Sequence, residues 1–241
     1  MRALSMLGFG AFVAASVVVG LRLLALARRT RELPELCIGA ALLLGGGIAY
    51  ALVQASLALR PTSIPLALAV ARAGVLTAAT GSLALLFATW RIFRPGERLG
   101  AALFATGAAL VAMAALLVFA TTPDGERNVS DPVYWTLTAA ASLAYAWSAL
   151  ESLRYHALLR RRERIGLADP ELADRFRLWG VAAASAVAIY AVGVVNRVLV
   201  PVGVHPVAMA IQSCVGLVAA TSIWLAFFPP AAYRRRFTAR A

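Results

Sequence analysis

The sequence predicts an all-α protein, a polytopic membrane bundle of seven transmembrane helices. The chain of 241 residues is 61% hydrophobic and only 14% charged, with a mean hydropathy of +0.80. This composition leaves too little polar surface to cover a water-soluble domain. Seven apolar stretches alternate with polar breaks, and each has the ~20 residues needed to cross a hydrocarbon core of ~30 Å. The lipid bilayer is therefore the expected solvent of the chain.

The seven expected spans follow one another along the whole sequence. They are residues 4–27, 36–58, 64–90, 99–120, 133–153, 176–200 and 207–228. The first span has the small residues of a signal-peptide cleavage site near its end, but its apolar run is too long for a signal peptide and its basic flank follows the run. We therefore expect it to be a retained helix.

The charges of the polar breaks predict the orientation. All 23 basic residues are arginine, because the sequence contains no lysine. Arginines concentrate after the first, third, fifth and seventh spans, whereas the other breaks hold few of them and carry acid at Asp124 and Glu126. By the positive-inside rule, the amino terminus is expected outside and the carboxyl terminus in the cytoplasm. The arginine clusters gain ~1 kcal/mol per residue from anionic inner-leaflet lipids, so lipid and not nucleic acid is the expected partner.

The chain also repeats itself. Residues 65–70 in the third span align with residues 206–211 in the seventh, and the two halves share the order of an arginine pair, Pro-Glu-Leu, tyrosine and proline. In this alignment Tyr50 falls opposite Tyr190, and Ser213 falls opposite Arg72. The recurrence predicts two parallel repeats, because a single intervening helix would let both keep the same orientation.

These repeats define the expected organisation of one seven-helix domain. Residues 1–98 form the first repeat, residues 99–132 form the fourth helix with an outer loop, and residues 133–241 form the second repeat. The result is a 3+1+3 arrangement of spans.

At the level of architecture, this arrangement resembles the microbial rhodopsins and the SWEET and PQ-loop sugar transporters. A retinal Schiff base requires a lysine, so the absence of lysine excludes a retinal cofactor, and no cofactor is expected. Neither half contains a Pro-Gln pair, which argues against a PQ-loop transporter. The chain is more closely similar to an uncharacterised family of bacterial seven-helix membrane proteins, in residues 31–36, 90–95 and 153–180. This resemblance implies the fold and a bacterial inner-membrane location, but no chemistry.

The sequence has no pattern typical of an enzyme or a metal site. It contains no phosphate-binding glycine loop, no ordered Ser/His/Asp set and no metal-ligand spacing, and His156 and His205 fall at opposite membrane borders. Glu151, the one acid within a span, is expected to pair with Arg154 three residues later. Because no carboxylate is expected near the midplane, a proton-coupled pump is also disfavoured.

Polar side chains in the outer half of the spans form a candidate ligand site. Arg72 lies roughly 12 Å deep in the third span, at a rise of 1.5 Å per residue, where a charge facing lipid is costly. We expect it to face the bundle interior and to anchor an anionic group in a cavity open to the outside. The candidate residues are Arg72, Gln54, Gln212, Asn196, Tyr50 and Tyr190. The alternative is that Arg72 and the glutamines only cross-link helices.

One apolar feature also carries an expectation. Gly45, Gly46 and Gly47 are consecutive in the second span. Small residues let the backbones of neighbouring helices approach closely. We therefore expect another helix to pack tightly against the second span at this point.

Three functions fit this sequence. The first is a sensor or receptor-like module that binds a small ligand from the extracytoplasmic side and signals through its basic loops to a cytoplasmic protein partner. The second is a facilitative transporter of a small polar solute, whose repeats would rock about a central site. The third is a structural or assembly subunit of a membrane complex.

Overall fold

The structure is a computed structural model that describes residues 2–121, 131–200 and 205–238, with side chains from residue 8 to residue 237. Within these ranges the protein is helical and contains no strand, which confirms the all-α class. The expected acidic loop at Asp124 and Glu126 lies outside the described residues. The helices are α1 Arg2–Thr30, α2 Leu33–Leu59, α3 Ile64–Phe93, α4 Arg98–Ala120, α5 Pro132–Glu163, α6 Pro170–Leu199, α7 Pro206–Phe227 and α8 Ala231–Thr238.

Six of these helices are long and apolar enough to cross a membrane, namely α1 from Gly8 onward, α2, α3, α4, α6 and α7. This agrees with a multi-pass membrane protein. The expected fifth span, 133–153, falls within α5, which is not among the six. Tyrosine, tryptophan, serine and threonine dilute the aliphatic residues in the first part of α5, and the helix continues through four arginines to Glu163.

The helices alternate in direction and close into a circle. α1 packs against α2, α2 against α3, α3 against α5, α5 against α6, α6 against α7, and α7 against α1. α4 lies outside this circle and packs against α3 and α5. At one end of the bundle α1, α3, α5 and α7 finish and α2, α4 and α6 begin. We call this the arginine-rich end, and the opposite end the arginine-poor end.

Glycine residues hold α2 tightly against both of its neighbours. A Cβ atom on Gly81 of α3 would lie 2.6 Å from the backbone nitrogen of Gly45. On the other side of α2, a Cβ atom on Gly46 would lie 2.6 Å from Ser16 Oγ of α1. Both distances are too short for a side chain, so the expected close approach at residues 45–47 is confirmed. Such approach matters in lipid, where helices associate through van der Waals packing.

The middle of α2, Ala41–Ile48, is π-helical. Its hydrogen bonds run from residue i to i+5, so its turns are wider than those of the α-helical segments on either side. The three consecutive glycines lie inside this segment, and Ala41 and Leu42 at its start are buried. No pattern in the sequence predicted a π-helix here.

Aspartate and proline begin α5 and α6. Asp131 accepts a hydrogen bond from the backbone nitrogen of Val133 at 3.0 Å, and Asp169 accepts one from that of Glu171 at 2.9 Å. A proline follows each aspartate, and its fixed φ suits the first helical position. Glu171 lies in the first turn of α6, where the helix dipole favours a negative charge.

The glycine contact between α2 and α3 can be tested with a matched pair of substitutions. Gly81→Ala would force the two backbones apart, and we expect a loss of ~1–3 kcal/mol in stability, as for other overpacked sites. Gly10→Ala is the control, because a Cβ atom there would meet nothing within 4 Å. That variant should be neutral or gain up to ~1 kcal/mol from helix propensity. Thermal unfolding in lipid nanodiscs measures the stability of both variants. Equal changes in stability for Gly81→Ala and Gly10→Ala would contradict the close contact.

Candidate functional site

A cavity of about 350 Å³ lies at the arginine-rich end, between α2 and α3 on one side and α5, α6 and α7 on the other. Its volume is within the ~300–1,000 Å³ typical of small-molecule sites. It extends inward to side chains that are almost fully buried, including Leu85 and Ala88 at 2% exposure. Further lining residues are Ile38, Ile92, Ser148, Phe176, Trp179 and Phe227.

Aromatic packing fixes the walls of this cavity. The ring of Trp179 meets that of Phe227 edge-on, with 5.9 Å between their centroids, and Trp179 Nε1 donates a hydrogen bond to Ser148 Oγ at 3.0 Å. Phe176 packs against Phe93 at 5.9 Å and against Tyr155 at 4.6 Å. Edge-to-face pairs of this kind stabilise a defined geometry beyond the area they bury. The cavity is therefore preformed.

The polar groups in the interior walls already have partners within the protein. Thr89 Oγ1 donates to the carbonyl oxygen of Leu85 at 2.8 Å, and Ser148 Oγ accepts from Trp179. Arg175 is the charged residue among the described lining residues. Its side chain is 50% exposed and pairs with Glu171 at 2.6 Å. The cavity thus has an apolar interior and, at its rim, an arginine that is paired with a glutamate.

An ion pair joins α3 to α5 beside this cavity. Arg94 Nε donates to Glu151 at 2.7 Å, and Arg94 also pairs with Glu97 at 2.7 Å. The expected pairing of Glu151 with Arg154 is therefore wrong: Glu151 points across the bundle toward the end of α3, and Arg154 is exposed. The hydrogen bonds that Arg94 donates, first to Glu151 and then to Glu97, raise the pKa of its guanidinium.

α8 is attached at the same end. The hydroxyl of Tyr233 donates a hydrogen bond to Asp174 of α6, which also pairs with Arg177 at 2.6 Å. Burial, and then the hydrogen bond to Asp174, raise the pKa of Tyr233. The raised pKa keeps the phenol protonated, and donating to Asp174, to a higher pH than an ordinary tyrosine would allow.

Two of the six candidate residues tie α6 to α7. Gln212 Nε2 donates to the carbonyl oxygen of Ile189 at 3.1 Å. Asn196 is buried, and its side-chain oxygen accepts from the backbone nitrogen of His205 at 2.9 Å, at the turn between the two helices. Asn196 also borders an exposed apolar groove between α6 and α7. The side chains of Gln212 and Asn196 thus link α6 to α7 and to the turn before it.

The two candidate tyrosines lie against different helices. Tyr50 of α2 stacks on Phe9 of α1, with 5.3 Å between ring centroids. Tyr190 of α6 lies 6.1 Å from Tyr145 of α5. The tyrosine positions matched by the repeat therefore both face a neighbouring helix of their own half.

Arg72 is half-buried, and its Nε atom is buried without a hydrogen-bond partner among the described residues. It lies two helical turns before Ala79, which packs against Val111 of α4 and Ala140 of α5. Gln54, by contrast, is exposed. Within the described ranges, no hydrogen bond, ion pair or aromatic contact joins any two of the six candidates.

The sequence did not indicate the cavity residues, because polar side chains are the ones that stand out in apolar membrane helices. An apolar wall has the same composition as any helix interface in a membrane protein, so Leu85 or Ala88 carries no signal. Phe176 and Trp179, three residues apart at the start of the sixth span, offered the one visible pattern, and such spacing usually indicates ordinary packing.

Neither a metal centre among the described residues nor a match to a known protein identifies this chain. Among the described residues, no three histidine, cysteine or carboxylate side chains lie together as a metal site would require. No protein-family model, curated protein or solved structure matches the chain. The fold is that of a helical multi-pass membrane protein, and its helices enclose an apolar cavity.

The Arg94–Glu151 pair gives a prediction about stability. Both side chains are largely buried, at 17% and 12% exposure. Glu151→Gln removes a hydrogen-bonded charge, so we expect a loss of ~1.5–3 kcal/mol. Glu97→Gln is the control, because Glu97 is 53% exposed and such pairs contribute at most ~1 kcal/mol. Thermal unfolding in nanodiscs compares the two variants. A larger loss of stability for Glu97→Gln than for Glu151→Gln would show that Glu151 is not the stabilising partner of Arg94.

Proposed function

We propose that this chain crosses the bacterial inner membrane seven times, with its amino terminus outside and its carboxyl terminus in the cytoplasm. In this proposal α5 is the seventh span. Its position between α3 and α6 supports this, because it belongs to the same closed circle as five of the six apolar helices. The arginine clusters of the connections, which share one end of the bundle, favour the cytoplasm for that end.

The order of helix contacts supports the 3+1+3 repeat. The contacts α1–α2 and α2–α3 correspond to α5–α6 and α6–α7, and the two remaining contacts, α3–α5 and α7–α1, correspond to each other. Ser213, the counterpart of Arg72, packs against Gly8 of α1. The equivalent contact in the other half would join α3 to α5, and Ala79, on the same face as Arg72, packs toward α5. α4 lies outside the circle, as a linker helix would.

The orientation is testable with reporter fusions. A reporter active only in the cytoplasm should be active when fused after residue 240 and inactive when fused after residue 124. The physical reason is the retention of arginine-rich segments on the cytoplasmic side during insertion. A reporter active only outside the cytoplasm provides the complementary control at both points. The opposite pattern at both sites would refute the orientation.

We further propose that the protein is a sensor or receptor-like module that binds a small ligand inside its helix bundle, and is not an enzyme. The observation that carries this proposal is the preformed apolar cavity bounded by Ala88, Trp179 and Phe227. The sequence favoured a ligand from the extracytoplasmic side, at Arg72. The geometry supports the arginine-rich end better, because there side chains of five helices converge on one space. A cytoplasmic protein partner would then meet the ligand-sensitive end directly.

A binding experiment separates these two locations. The full chain in nanodiscs is screened for small molecules that raise its unfolding temperature, since a ligand at 100 times its Kd adds ~2.7 kcal/mol. Ala88→Phe and Ile92→Trp fill the cavity and should abolish the stabilisation. Arg72→Gln should leave it intact.

Leu116→Trp is the matched control for adding a large side chain, because Leu116 of α4 is 68% exposed and lies away from the cavity. If a ligand still raises the unfolding temperature of both Ala88→Phe and Ile92→Trp, the ligand does not bind in the cavity. If the ligand-induced stabilisation is lost in Arg72→Gln and kept in the cavity-filling variants, the ligand site lies at the arginine-poor end.

The facilitative transporter is the second candidate, and one observation favours it. The cavity lies between the two triplets of helices, where a carrier with rocking repeats would hold its solute. Uptake of the identified ligand into proteoliposomes distinguishes the two functions. A carrier moves the ligand across the membrane, whereas a receptor binds it without net transport.

A further inference from the structure

We propose that the cavity binds a single-chain amphiphile, with its hydrocarbon chain in the apolar interior and its anionic headgroup at Arg175. This inference rests on the proposed function, since it names the ligand class for the same site. The chemistry required is one alkyl chain that ends in a carboxylate or a phosphate.

The interior selects hydrocarbon. The hydroxyls of Thr89 and Ser148 are the polar groups that reach the wall, and each is already engaged, with Leu85 and Trp179 respectively. A polar ligand group would therefore lose its water without gaining a partner, which is costly. A methylene group buried in the same place gains ~0.8 kcal/mol.

The size of the cavity fits one chain. If a methylene group occupies about as much space as the ~30 Å³ share of a water molecule, then 350 Å³ holds roughly a dozen methylene groups. The space runs from Arg175, which is half exposed at the rim, to Ala88, which is 2% exposed in the bundle. A chain can thus enter with its end buried and its head at the surface.

The rim offers an anion one arginine, Arg175, which is only partly engaged by Glu171. Arg175 bonds Glu171 through one nitrogen at 2.6 Å, and no other hydrogen bond engages its guanidinium among the described residues. A guanidinium has five donors arranged to hold a carboxylate or phosphate through two parallel bonds. The arginines around this end add a positive field that attracts anions from solution.

Equilibrium binding of radiolabelled dodecanoate to the full chain in zwitterionic nanodiscs tests the proposal, with empty nanodiscs as the blank. Dodecanoate should bind, and dodecanol should bind more weakly because it lacks the charge. Arg175→Gln should weaken dodecanoate binding about tenfold, consistent with the loss of a hydrogen bond to a charged group, and leave dodecanol unchanged. Ile92→Trp should abolish both.

Arg161→Gln is the matched control, because Arg161 is an exposed arginine at the same end that does not line the cavity. Arg175-dependent binding of either dodecanoate or dodecyl phosphate supports the proposal, and the tighter of the two indicates a fatty acid or a phosphate-headed lipid as the source. Equal losses in Arg175→Gln and Arg161→Gln would overturn the headgroup assignment.

A second outcome separates this inference from the proposed function. If neither alkyl anion binds, yet another small molecule stabilises the protein in a manner that Ala88→Phe abolishes, the ligand class is wrong and the cavity site stands. If the cavity-filling variants affect no ligand at all, both proposals fail. Unfolding temperatures of all variants, measured without ligand, identify any that fail to fold.

Discussion

The structure depends on how closely its helices can approach one another. In lipid the hydrophobic effect does not drive helices together, so their association depends on close van der Waals packing. Glycine provides this approach at several interfaces: Gly20 packs against Gly39 between α1 and α2, and Gly45 against Gly81 between α2 and α3. Gly180 meets Leu153 between α5 and α6. These contacts join helices that follow one another in the chain. Large aromatic side chains stand between the triplets at the arginine-rich end, and there the interior stays open.

The same end also carries an ion pair that joins the two triplets. Arg94 follows Phe93, which lines the cavity, and Glu151 lies three residues after Ser148, another lining residue. The ion pair between them ties α3 to α5 beside the cavity wall. Burial of both charges is tolerated because each has a partner, and removal of one would leave the other desolvated. The position of the wall is therefore coupled to this pair.

The helices themselves could be predicted from sequence because hydropathy acts over ~20 residues and needs no partner. The expected spans all fall within or nearly within observed helices, and the glycines at 45–47 correctly predicted a tight interface. Partners across the bundle were not predictable in this way. Glu151 had a local arginine at the right spacing, yet it pairs with Arg94, 57 positions away. The cost of a charge in lipid indicated that Arg72 faces inward, but it did not identify which helix Arg72 would face.

The π-helical segment changes what can be inferred along α2. In an ordinary α-helix each residue turns the chain by about 100° and advances it 1.5 Å, so side chains at the two ends keep a fixed angular phase. The wider turns of Ala41–Ile48 break that phase relation. Leu33–Ala40 and Ala49–Leu59 therefore follow two different helical wheels, and a single wheel drawn through the whole of α2 assigns wrong faces to one end.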